Sequence, residues 1–175
     1  MKRLIAIFVF TILIPWLLHA QGVGIYTASR QTGITFNSID ATGTAVTAWR
    51  AGENTGNNRS YPVPIGFDFN YLGRIYTQIS VSTNGFVDLS SNTSAGYQDK
   101  PYGFDNSAFS IPAPEGTLLA FAPYYDDLMI TWGFTLGNAV KYETTGSPGS
   151  RIFTLEWVHF SYQDLNGDQV QFQIR

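Results

Sequence analysis

The chain has 175 residues, no cysteine, and 10 Lys and Arg against 13 Asp and Glu, for a formal net charge of −3. This excludes a disulfide scaffold and a thiolate metal centre, and apart from Lys2-Arg3 the basic residues stand singly from Arg30 to Arg175, without the clusters that displace counterions from nucleic acid. With 44% hydrophobic and 15% aromatic residues there is ample apolar surface to bury, which excludes a disordered chain.

The first element is a leader. Lys2 and Arg3 precede the apolar run from Leu4 to Leu18, and His19, Ala20 and Gln21 follow. A charged start and a short apolar stretch describe a secretory signal peptide, residues 1–20, cleaved after Ala20. The run is shorter than the roughly 20 residues a spanning helix needs, and Pro15 weakens a long helix, so no membrane span is expected after cleavage. Residues 21–175 form one domain of about 155 residues, enough to bury a core without covalent help. Without Lys2 and Arg3 its charge is about −5. An exported domain without disulfides fits a bacterial envelope or extracellular setting, secreted or at the cell surface.

After the leader, apolar residues recur with a period of two. Ile65, Phe67 and Phe69 alternate with Gly66, Asp68 and Asn70, and Ile75, Thr77, Ile79 and Val81 alternate with Tyr76, Gln78, Ser80 and Ser82. Alternation puts one set of side chains into a core from extended backbone. Leu72-Gly73, Asn84-Gly85, Gly146-Ser147-Pro148-Gly149 and Asn166-Gly167 separate such runs with residues suited to tight turns. Two hairpins in the second half join strands over Ala139–Thr144, Arg151–Tyr162 and Gln169 onward. No stretch shows a capped amphipathic helix. The expected fold is therefore an all-β, antiparallel, two-sheet β-sandwich of jelly-roll-like form.

The strand from Arg151 breaks the pattern: Phe153, Leu155 and Trp157 make one apolar face, yet beyond Glu156 the other face carries Val158, Phe160 and Tyr162. A bulge or a covering loop would account for both faces being apolar. On the last strand Val170, Phe172 and Ile174 alternate with glutamines, so truncating Gln171 is expected to cost little. Arg50–Arg59 and Ser90–Pro114 are polar, glycine- and asparagine-rich connections. Because Val170–Arg175 reads as a strand still in progress, a continuation beyond Arg175 is expected.

Few residues suit catalysis. Past the leader the one imidazole, His159, lies in an apolar strand with no nucleophile elbow near any serine, so a structural role is expected. Glycosidases need two carboxylates facing a cleft. Glu156 stands alone on its strand, and Asp126 and Asp127 are adjacent, pointing to opposite faces if extended. A carboxylate glycoside hydrolase is thus the third reading, behind no catalysis.

Two places offer hard oxygen donors suited to calcium. In Tyr124-Tyr125-Asp126-Asp127 the candidate ligands are Asp126 and Asp127, with capping of backbone amides as the alternative. Asp164, Asn166 and Asp168 resemble the start of a calcium loop but lack its glycine placement and its distal bidentate acid, which favours a hairpin turn. Trp49, Trp132 and Trp157, with Tyr97, Tyr102, Tyr124 and Tyr125, offer flat faces for sugars or side chains for a core, the latter for Trp157.

The succession IGFDFNYLGRIYTQISVSTNGFVDL from Ile65, LLAFAPYYDDL from Leu118, VKYETTGSPGSRIFTLEWVHFSY from Val140 and VQFQIR from Val170 resembles the N-terminal β-sandwich of large exported proteins of Bacteroidetes and related bacteria. It is also similar, more distantly, to nidogen-like extracellular domains. The resemblance implies a module followed by repeat domains and, in many members, a type IX secretion sorting domain. It carries no catalytic residues. The reading is a structural or adhesive module that binds an extracellular protein or a glycan, with a carbohydrate-binding sandwich as the alternative.

Overall fold

The computed structural model describes residues 29–49, 60–89, 120–162 and 169–175. In chain order the elements are β1 (Thr44–Ala45), β2 (Val63–Tyr71), β3 (Arg74–Val81), β4 (Val87–Asp88), β5 (Ala120–Phe121), β6 (Leu128–Ile130), α1 (Leu136–Ala139), β7 (Val140–Thr145), β8 (Ile152–Tyr162) and β9 (Gln169–Ile174). They build two antiparallel sheets, one ordered β1-β7-β8-β6 with β9 also on β8, the other ordered β2-β3-β4-β5. The sheets do not close into a barrel, so the expected β-sandwich is the architecture. The leader, residues 1–20, lies outside the described residues.

The core is where the alternating faces meet. Val81, Leu128, Val140, Leu155, Trp157 and Phe160 are fully buried in it. Trp157 joins the two sheets: its ring stacks on Phe172 of β9 at 4.7 Å, and its Nε1–H donates to the Ser82 carbonyl at the end of β3, at 2.8 Å. The apolar body is packed and the one polar atom is satisfied, as a buried indole requires.

Three departures from simple alternation have local causes. In β3, Ile79 and Val81 are buried as expected, but Ile75 is 63% exposed and Tyr76 packs on the core instead. The β2–β3 register shifts between Pro64 and Phe69, and Gly66 within that stretch has φ +86, so the side-chain phase changes partway along the hairpin. In β8, the three steps from Trp157 to Phe160 oppose only two on β9, from Phe172 to Val170. This bulge returns Phe160 to the core face and resolves the apparent double-sided strand. Finally, α1 is a four-residue turn, where no capped helix was expected.

The β2–β3 hairpin turns on Leu72-Gly73, with φ +50 and +74. Two positive φ values are what a twist-matched two-residue hairpin needs, and leucine rather than asparagine accepts the first. At Asn84-Gly85, Gly85 has φ +78 and lies so close to the Tyr124 carbonyl that a Cβ would collide with it. Asn84 is buried, and its Oδ1 accepts the Leu128 N–H at 3.3 Å, tying this turn to the start of β6.

Candidate functional site

Beside Trp157, Glu156 points to the opposite face of β8, yet it is 0% exposed. The cover is the segment leading into β1. Glu156 Oε1 accepts from the Ser38 hydroxyl at 2.7 Å and from Gln171 Nε2, while Oε2 accepts from the Ile39 N–H at 2.6 Å and from Gln173 Nε2 at 2.7 Å. Gln173 also donates to the Asn37 carbonyl at 2.7 Å, and Gln171 to Ser38 Oγ at 3.1 Å. Ile39 is buried, and a tight turn from Ile39 to Gly43 passes the chain on to β1 at the edge of β7. A buried carboxylate is tolerable only with its lone pairs engaged, and here neutral donors from two sides engage them.

This corrects the expectation for Gln171, which is a working part of the clasp because its amide reaches the buried carboxylate. Glu156 is alone on its strand in sequence, but its partners arrive from the cross-strand neighbour β9 and from a segment more than a hundred residues away. Both causes offered for the two-faced strand are therefore present, a bulge and a covering segment.

Three residues along β8, the same cover meets a different surface. His159 Nε2 lies 3.8 Å from Asp40 Oδ2, and the imidazole stacks on Phe134 with centroids 3.6 Å apart and planes 17° apart. Phe134 closes a β-turn, its N–H donating to the Thr131 carbonyl at 3.1 Å, and the Thr131 N–H is fixed to the His159 carbonyl at 3.0 Å. Gly133, with φ +88, takes the third turn position, where a positive φ favours glycine. The second position is Trp132, and it is 97% exposed. Thr131 Oγ1, at the base of the turn, is buried with no hydrogen-bond partner.

Of the other aromatic candidates, Trp157 is in the core and Trp49 packs against it with Nε1 donating to the Val46 carbonyl at 2.8 Å. Tyr124 also packs on the core, against Tyr162 and Phe172, and Tyr125 meets Phe86 edge-on. Tyr97 and Tyr102 lie outside the described residues. Trp132 alone of the described candidates stands free as a platform. Its signal in the sequence was the Trp-Gly pair, a turn dipeptide with an indole at its tip.

At the acidic corner, Asp126 Oδ1 accepts the Asp127 N–H at 2.8 Å, the local backbone capping that was the alternative to calcium ligation. Among the described residues no group of three or more His, Cys, Asp or Glu is placed to hold a metal ion. Asp164, Asn166 and Asp168 lie outside the described residues. Between the sheets, a cavity of about 230 Å³ is walled by Ile65, Phe69, Ile79, Phe121, Phe153 and Ile174, among other residues. Arg175 is the charged group on its described walls, so little there orients a polar ligand.

No helix among the described residues is long and apolar enough to cross a membrane. Residues 25–175 match the family described as NIDO related. No curated protein and no solved structure matches the chain.

Proposed function

The chain belongs to the nidogen-related family, whose domain is typical of extracellular proteins, and from that premise we propose that it is a non-catalytic adhesive module of an exported protein. Its contact is made through the Trp132 turn. The observation that carries this is the 97% exposure of Trp132 on a turn pinned to β8 by a backbone hydrogen bond. A large aromatic held in water on a fixed backbone costs little ordering entropy when a partner covers it, which is why tryptophan is enriched where binding energy concentrates. Absence of catalysis is supported by the engagement of Glu156 in its clasp and by the local capping of Asp126. The leader proposed for residues 1–20 supplies the export route, and a bacterial surface is the setting we favour.

Cells displaying the chain, compared with cells displaying Trp132→Ala, test this on surfaces coated with extracellular proteins or with glycans. The expected result is adhesion of the parent and its loss in the variant at equal display. Equal adhesion by both would remove the Trp132 turn from the contact.

A further inference from the structure

We propose that the Trp132 turn is a carbohydrate-binding site that takes an uncharged pyranose ring, stacked on the indole and hydrogen-bonded by Asp40 and His159. This rests on the reading that the turn is the contact surface, and adds the ligand's chemistry. One face of a pyranose is a sheet of C–H groups that needs an apolar plane, while its rim of hydroxyls needs donors and acceptors beside that plane. The turn supplies the plane, since Trp132 is 97% exposed. The polar groups proposed for the rim are those at the foot of the turn, on the strand to which it is bonded, where His159 is fixed on three sides. Phe134 stacks on its ring at 3.6 Å, its carbonyl holds the Thr131 N–H at 3.0 Å, and Asp40 faces its Nε2 at 3.8 Å. Asp40 keeps 44% of its side chain exposed, so the carboxylate has open lone pairs to accept hydroxyl protons.

Other ligand classes fit less well. An anionic lipid surface or sulfated glycan is disfavoured by the net negative charge and by the Asp40 carboxylate at the foot of the turn. A cationic peptide would find an aromatic and a carboxylate, but His159 stands in the position where its charge would pair with Asp40. A neutral polyol uses the carboxylate and the imidazole together.

The test is an array of neutral oligosaccharides (glucans, mannans, xylans and chitin fragments) with uronate-containing and sulfated glycans beside them, probed with the exported chain and three variants. Neutral glycans are expected to bind, to protect tryptophan fluorescence from acrylamide quenching, and to lose roughly tenfold or more in affinity with Trp132→Ala, the scale of one stacked ring. Trp132→Phe should retain part of the affinity, and Asp40→Asn should weaken it while leaving the stacking signal. Trp132 is almost fully exposed and Asp40 half-exposed, so the three variants are expected to fold, which their melting temperatures would verify. Binding that survives Trp132→Ala overturns the site, as does a preference for the acidic glycans. If no glycan binds but an extracellular protein or basic peptide does so through Trp132, the carbohydrate inference fails while the contact reading stands. If Trp132 matters to no binding at all, both fail.

Discussion

Glu156 and His159 lie three residues apart on β8 and face the same covering segment, but the regions around them are opposites. At Glu156 a charged group is sealed from water and saturated with hydrogen bonds; at His159 an aromatic turn carries an indole out into solvent. Surface position alone does not separate function from structure here. A buried carboxylate invites a catalytic reading, but this one accepts from Ser38, Ile39, Gln171 and Gln173 and holds a remote segment onto the sheet. An exposed apolar residue is ordinarily unremarked, yet one this large, at the tip of a hydrogen-bonded turn, has no packing role.

The comparison can be sharpened by substitution. Trp157→Ala sets the scale, with an expected loss of about 3–5 kcal/mol in chemical denaturation, because it removes a fully buried ring and the indole bond to Ser82. Glu156→Ala should cost about 3 kcal/mol, since it leaves buried donors unpaired. It should also raise hydrogen exchange at the Ile39 amide well before global unfolding. Normal protection there would mean that the segment is held by something other than the carboxylate.

Gln171→Ala is expected to cost about 1–2 kcal/mol, the penalty for removing one hydrogen bond to a buried charge. A value near zero would restore the simpler view of Gln171 as a solvated strand residue. Trp132→Ala should change stability by no more than about 0.5 kcal/mol. A loss comparable to that of Trp157→Ala would show that the turn is packed, and the contrast between the two regions would collapse.

Much of the frame was legible from local pattern. The alternation in Phe153, Leu155 and Trp157 placed the core face of β8 correctly, because the pleat has a period of two and half of each strand must be dry. The hairpin at Leu72-Gly73 and the turn at Asn84-Gly85 were marked by residues that suit tight turns. Ile75 and Tyr76 were assigned the wrong way round, since a register shift near Gly66 changes the phase and leaves no trace in the spacing of β3 itself.

The sequence by itself determined the class of fold, the separation of strands and turns, and the scarcity of catalytic groups, all consequences of composition and short-range periodicity. Only the tertiary structure decided which unusual residues are hidden and which are displayed. The partners of Glu156 come from positions separated from it by 118, 117, 15 and 17 residues, and no local pattern encodes such a meeting. Trp157 was assigned to the core by its alternation with Leu155 and Phe153, but Trp49 and Trp132 looked equivalent as platforms. Trp49 and Trp157 find apolar neighbours when the sheets close, whereas Trp132 sits on a turn that leaves it almost fully in solvent.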